Sequence, residues 1–220
     1  MRIVKVESVL LWVPFGSAIG GSGATGVQLI HVTLTGADGQ QGTGFSYALT
    51  GGGESILSMV DQVLGAKLLG TELAGWDRLW HDLWAMTHRL GRGVALPALS
   101  ALDIAIWDLR GKAANQPLFR LLGAYREKVS VYGSGRATHQ MTTEELIAGA
   151  RSYIEEGYGA VKLRAGARAA EEDVERIAAV RRAVGDSVRL MVDCNERLDF
   201  PTALWFGRQL EELGIYWLEE

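Results

Sequence analysis

Three short apolar runs, each ending in charged residues, limit what this chain can fold into more than any other feature. They are Ala160-Val161-Lys162-Leu163-Arg164, Val188-Arg189-Leu190-Met191-Val192-Asp193-Cys194-Asn195, and Ile215-Tyr216-Trp217-Leu218-Glu219. Between them lie two stretches of helical periodicity, 170–184 and 201–213. Strands alternating with helices of about 10–15 residues read as βαβ units around a parallel sheet. Ligands gather at the carboxyl ends of such strands. Here those ends carry a cation pair, an acid with an amide, and an acid.

Side chains two apart on a strand share a face. Lys162 and Arg164 therefore point one way and Leu163 the other. By the same rule Asp193 and Asn195 share a face, while Val192 and Cys194 turn to the covering helices. Charge at inward positions of a covered sheet is costly unless it is paired or bound to metal. Mutual neutralisation of two cations and two carboxylates is the plain alternative. Three consecutive strands delivering charge at the same end favour a polar site.

The succession Lys162-x-Arg164, Asp193-x-Asn195 and Trp217-Leu218-Glu219-Glu220 resembles the enolase superfamily, in particular its mandelate-racemase-like subgroup. The stretches from Ala101 to Lys112 and from Gln116 to Gly123 are similar to the same superfamily. The resemblance implies an α+β capping domain over residues 1–124, followed by a (β/α) TIM-type barrel over 125–220, of which only about the first four strands are present. It further implies Asp193 and Glu219 as ligands of Mg2+, and Lys162 and Arg164 as the catalytic cation pair. Asn195 would lie beside the substrate carboxylate or its α-substituent. Asp193 and Glu219 fall one βα repeat apart, as neighbouring strand ends require. The first barrel strand is expected at 129–133, with Ser134 at its carboxyl end as a candidate substrate contact. His139, shortly after, reads as a solvated loop residue.

Ahead of this repeat the chain reads as three strands followed by helices. The first, 3–13, ends at Pro14; the next two, 27–35 and 41–47, are joined by a turn at Gly36-Ala37-Asp38-Gly39. The glycine- and serine-rich stretch 16–26 reads as a loop and lacks the Gly-Lys-Ser/Thr of a phosphate cradle. A helix is expected over 54–65. The resemblance gives 16–26 and 46–53 the place of two loops that drop over the barrel mouth, with Tyr47 as a candidate substrate contact; ordinary strand packing accounts for Tyr47 equally well. Helix 76–89 sets Trp76, Leu79, Trp80, Leu83, Trp84 and Thr87 on one face. The longest helix follows Pro97, where Leu99, Leu102, Ile106, Leu109 and Ala113 step by three and four. His81 and His88 stand apart from acids at metal-binding spacing, and Asp103 and Asp108 read as helix-packing partners. Helix 143–156 takes Thr142 or Thr143 as N-cap.

Composition removes other classes. An apolar share of 48% with 22% charge is that of an ordinary globular chain, and a net charge of −4 offers no basic face to nucleic acid. No run approaches the roughly 18 apolar residues of a membrane helix. The charges mixed through Met1-Arg2-Ile3-Val4-Lys5-Val6-Glu7 are unlike a signal peptide. The single cysteine, Cys194, excludes an internal disulfide and suits a reducing compartment, so a cytoplasmic setting is expected.

The chemistry that the resemblance implies is Mg2+-dependent removal of the proton α to a carboxylate, through an enediolate. The substrate would be a small hydroxy or sugar acid, and the assembly a homo-oligomer. Positive charge concentrated where negative charge develops is the main lever of such a site. The place that commonly holds a base lysine on the second strand holds Arg164, and a guanidinium titrates above about 12. This weighs against a two-base racemase and for a one-base β-elimination, the dehydration of an acid sugar. Racemase, epimerase and cycloisomerase are the alternatives within the superfamily. An aldolase barrel with Lys162 as Schiff-base lysine is disfavoured by Asp193 and Glu219. A complete (β/α)8 barrel takes roughly 250 residues, yet this chain of 220 reaches Glu219-Glu220 straight after a strand. The expectation is therefore the N-terminal part of a longer protein, catalytically incompetent alone, with the family's third metal ligand and His–Asp base beyond residue 220. A chain that only folds or assembles with a partner is the non-enzymatic reading.

Overall fold

The structure, a computed structural model, describes residues 1–19, 24–49 and 51–220. It divides into two units, Met1–Glu127 and Lys128–Glu220; the boundary expected from sequence, after residue 124, falls just short of that division.

The first unit opens with an antiparallel meander of β1 (Ile3–Ile19), β2 (Ala24–Gly36) and β3 (Gln41–Ala48), in that spatial order. Helices α1 (Gly53–Met59), α2 (Trp76–Leu90), α3 (Arg92–Ala113) and the short α4 (Leu118–Leu121) follow. Alternation turns Ile30, Val32 and Leu34 of β2 inward, where they share a core with Leu102, Ile106 and Leu109 of α3. Between these elements β3 lies so close to α3 that only glycine fits. A Cβ at Gly42 would stand 2.3 Å from the Ala105 carbonyl oxygen, and one at Gly44 would stand 2.1 Å from that of Ala101. Side chains of the same helix close the edge of β3: the Thr43 N–H donates to Asp108 at 2.7 Å and Lys112 donates to the Gln41 carbonyl at 2.9 Å. Asp103 accepts from the Trp76 indole at 3.0 Å.

Several boundaries differ from the sequence reading. β1 does not stop at Pro14: Pro14 pairs with Gly26, and the strand runs on irregularly to Ile19. It is an edge strand, which tolerates proline. Much of the expected loop 16–26 is thus strand, and its residues 20–23 lie outside the described residues. In the other expected loop, 46–53, residues 46–48 belong to β3, Gly53 opens α1, and Thr50 is outside the described residues. Helix α3 starts at Arg92 rather than after Pro97; the proline forfeits only the bond to the Gly93 carbonyl, and the buried stripe from Ala95 onward holds the turn. The helix expected over 54–65 is α-helical to Met59 and then widens into a π turn at Val60–Leu64, closed by the Gly65 N–H on the Val60 carbonyl.

The second unit alternates α5 (Thr143–Glu155), β4 (Ala160–Arg164), α6 (Ala170–Val184), β5 (Arg189–Asp193), α7 (Phe200–Glu212) and β6 (Leu218–Glu219). The strands are parallel, in the order β4-β5-β6. Val161, Leu163, Leu190, Val192 and Cys194 share a core with residues of all three helices. Thr142, not Thr143, caps α5 in a reciprocal box with Glu145, at 3.2 and 2.7 Å. Asp199 caps α7 through the Thr202 N–H at 2.9 Å. Arg181 of α6 ties down the turns around it, donating to the carbonyls of Gly185, Val188, Leu213 and Gly214 at 2.7–3.1 Å.

Residues 129–133 are not the strand expected there. Only Gly133 pairs, as a parallel bridge with Val161. Val129 and Val131 are 67% and 65% exposed, so no burial holds the segment in a ladder. Among the described residues, no helix is long and apolar enough to cross a membrane.

Candidate functional site

The parallel register brings the charged strand ends side by side. Arg164 is opposite Asp193 across β4 and β5, and Asp193 is opposite Glu219 across β5 and β6. Lys162, two residues back on the face of Arg164, sends its ammonium between the acids. Its Nζ lies 2.8 and 2.9 Å from the two carboxylate oxygens of Glu219 and 3.0 Å from Asp193 Oδ2. Arg164 stands 3.9 Å from that same Asp193 oxygen and donates to Asn195 Oδ1. Asp193 Oδ1 accepts from the Asn195 backbone N–H at 3.0 Å and from its side-chain amide at 2.9 Å. Lys162, Arg164, Asp193, Asn195 and Glu219 thus form one cluster.

Asn195 reaches the cluster by a route that strand periodicity does not describe. The strand ends at Asp193, and Asn195 and Glu196 take φ of 50° and 60°. This left-handed turn, which asparagine tolerates, folds the amide back onto the carboxylate. Burial alone would push the Lys162 ammonium down. Hydrogen bonds to Glu219 and Asp193, with their charges, outweigh it and hold its pKa above the ordinary lysine range. Lys162 is therefore a hydrogen-bond donor and a positive charge at neutral pH. Cys194, on the opposite face, has its thiol pushed up to about 12 by burial and stays un-ionised.

Two aromatic residues that the sequence reading passed over line this cluster. The Trp217 indole N–H donates to Glu219 Oε2 at 3.3 Å. Tyr132 packs edge-on against Trp217, with centroids 5.5 Å apart, and its ring centroid is 5.9 Å from Lys162 Nζ. The period of two counted back from Glu219 was the available signal for Trp217. The same count back from Ser134 on the strand expected at 129–133 pointed to Tyr132, although the structure forms no strand there. Ser134 is exposed, and its backbone carbonyl accepts from the Tyr153 hydroxyl. Tyr47 belongs to the first unit, opposite Leu29 on the face of β3 turned away from α3, and is 56% exposed. Asp193 and Glu219 are hard oxygen donors facing one cation; among the described residues, no group of three or more His, Cys, Asp or Glu gathers as a metal cluster.

His139 is not a solvated loop residue. It is 4% exposed, and neither ring nitrogen has a hydrogen-bond partner of good geometry. Its loop is drawn inward by Arg176, which donates to the Met141 carbonyl and to Asp173 Oδ1, the latter at 2.7 Å. Burial, with the charges of Arg197 and Arg164, holds the imidazole below its ordinary range; Asp173 and the Ala165 carbonyl oppose this without reversing it. The unfolded chain therefore takes up the proton first, and stability is lost as pH falls below about 6.5. His139→Gln is expected to flatten this decline. Urea unfolding at about pH 7.5 and pH 5 measures it, and equal losses in both proteins would refute it.

An α+β domain followed by parallel βα units with acids and a lysine at their strand ends is the class of protein in which such a domain precedes the beginning of a (β/α) barrel. The chain belongs to the mandelate racemase / muconate lactonizing enzyme family: residues 2–123 match its N-terminal domain, and residues 145–220 match the enolase C-terminal domain-like family. It is 36% identical over 194 residues to 3,6-anhydro-alpha-L-galactonate cycloisomerase of Streptomyces coelicolor, covering 88% of this chain and 54% of that protein. It is 35% identical over 197 residues to L-talarate/galactarate dehydratase of Salmonella typhimurium, covering 89% and 49%. The crystal structure of a racemase from Streptomyces coelicolor with bound magnesium superposes with a TM-score of 0.90 at 33% identity, over 98% of this chain and 61% of that one. The chain spans about half the length of the curated relatives it matches. Its two units are the capping domain and the first part of the barrel of the enolase superfamily.

Proposed function

We propose that the protein removes the proton α to the carboxylate of a hydroxy or sugar acid, with Mg2+ held at Asp193 and Glu219, and that the outcome is dehydration. The observation that carries this is the strand register, which sets the two carboxylates side by side with a cation 2.8–3.0 Å from both. Such a pair fits a hard divalent ion. Mg2+ is usually bound by one or two carboxylates, its other positions being filled by water and substrate oxygens. Bound there, it supplies positive charge beside the substrate carboxylate as negative charge builds.

The remaining work falls to this chain's own residues. Lys162, held protonated, adds a second positive charge at the same place. The Asn195 amide, oriented by Asp193, is positioned for a substrate oxygen, and the Arg164 guanidinium for an anionic or hydroxyl group. Ser134 is a further candidate contact. Arg164 does not accept the proton, since a guanidinium titrates above about 12, and Lys162 serves beside the two acids as a positive charge rather than as a base. With these two excluded, one base elsewhere takes the α-proton. The electron pair left at the α-carbon forms a C=C bond and expels the β-hydroxyl, which leaves as water after taking up the proton that the base has just accepted. The resulting enol tautomerises to a 2-oxo acid. Two-sided reprotonation, as in a racemase, needs a second acceptor. A cycloisomerase is the second reading, favoured by one of the relatives described above.

The test is Mg2+ titration by calorimetry on this chain and on the product of its complete reading frame, each with Glu219→Gln. A screen of sugar acids for 2-oxo acid formation follows. Binding that weakens more than about tenfold in the variant, with 2-oxo acid from at least one sugar acid, is expected. No binding in either wild-type protein would remove the metal reading. Binding with isomeric products would favour the cycloisomerase.

A further inference from the structure

The geometry points to Trp217 as the positioning residue for the Glu219 carboxylate, acting through its indole N–H. The inference rests on Glu219 being a cation ligand, as proposed above. Trp217 and Glu219 are two residues apart on one extended backbone, so their side chains leave the same face of the sheet. Both backbones are anchored to β5: the Val192 N–H donates to the Trp217 carbonyl at 3.1 Å and the Cys194 N–H to the Glu219 carbonyl at 3.0 Å.

The two acids of the cluster are restrained very differently. The Asp193 side chain is 3% exposed and has the short stem and paired Asn195 donors that fix it. That of Glu219 is 36% exposed and has one more torsion to order. The donors on Glu219 are Lys162, which reaches both oxygens, and Trp217, which reaches Oε2. Lys162 is a flexible ammonium on a long stem. The indole is rigid, and it is itself held. Tyr132 packs edge-on against it at 5.5 Å, and the Tyr216 ring lies tilted at 5.4 Å. With Oε2 carrying two donors and Oε1 one, the indole sets which oxygen keeps lone pairs for a cation. Donors behind ligating side chains typically contribute 10–100-fold, roughly, to metal affinity.

The test is Trp217→Phe, which keeps the ring and removes the N–H, in the product of the complete reading frame. Mg2+ affinity is read by calorimetry and the melting midpoint without added metal by circular dichroism. The Mg2+ dissociation constant is expected to rise about tenfold with the midpoint unchanged. Tyr132→Leu, which loosens the indole but leaves its N–H, is expected to give a smaller rise. Wild-type affinity in Trp217→Phe overturns the inference and leaves the metal reading standing. A lower midpoint with unchanged affinity assigns Trp217 to packing alone and overturns it too. A wild-type protein that binds no Mg2+ overturns both.

Discussion

If the proposed function holds, Asp193→Asn in the product of the complete reading frame is expected to abolish Mg2+ binding and to lower turnover of whichever sugar acid that protein accepts by roughly a thousandfold or more, with the protein still folded. The substitution keeps the shape of the side chain, including an oxygen to meet the Asn195 donors on Oδ1. It removes the charge that faces Lys162 at 3.0 Å and Arg164 at 3.9 Å. The Lys162 ammonium is not orphaned, because both oxygens of Glu219 remain at 2.8 and 2.9 Å. The loss should therefore appear in cation binding and kcat rather than in the far-ultraviolet spectrum. Calorimetry with steady-state kinetics and circular dichroism on the same preparations separates these effects. Turnover within about tenfold of wild type would exclude Asp193 from the chemistry.

The second large effect is on stability. Asp173→Ala is expected to cost about 3–5 kcal/mol, because removing one partner of a buried ion pair leaves the other charge uncompensated. Asp173 and Arg176 are 1% and 5% exposed. Asp173 accepts from Arg176 at 2.7 Å and from the Gly166 N–H at 2.7 Å, immediately beyond β4. Arg176 Nε already lacks a partner, so the guanidinium has little left once the carboxylate is gone. Replacing both together, Asp173→Leu with Arg176→Met, should recover much of the loss, since no buried charge then remains. Urea unfolding of the two variants measures it. A single substitution costing under about 1 kcal/mol would mean that water reaches the pair.

The elements of the second unit were legible because their signals are local. Helix α6 and strand β4 run over the residues that periodicity assigns to them: amphipathic spacing depends on neighbours three or four residues away, or two in a strand. The charges at the strand ends were legible for the same reason. What failed involved partners far along the chain. Pro14 reads as the end of a strand and Pro97 as the residue before a helix, yet an edge strand and a buried helical stripe absorb them. Residues 129–133 have strand-like composition but nothing to bury Val129 and Val131. His139 looks polar enough for solvent, but Arg176 draws its loop inward from a helix more than thirty residues on.

By itself, the sequence determined the alternation of strand and helix, the face each charged side chain would occupy, and the kind of chemistry those charges can serve. Only the tertiary structure decided that Lys162 lies between Asp193 and Glu219, that a left-handed turn returns Asn195 to Asp193, and that Trp217 touches Glu219. The reason is one of length scale. Periodicity assigns a side chain to a face several ångströms wide, whereas hydrogen bonds and ion pairs need atoms within about 3 Å. A slip of one residue in the register would send a strand's side chains to the opposite face. That register is set by the helices that connect the strands and by the core the strands and helices share.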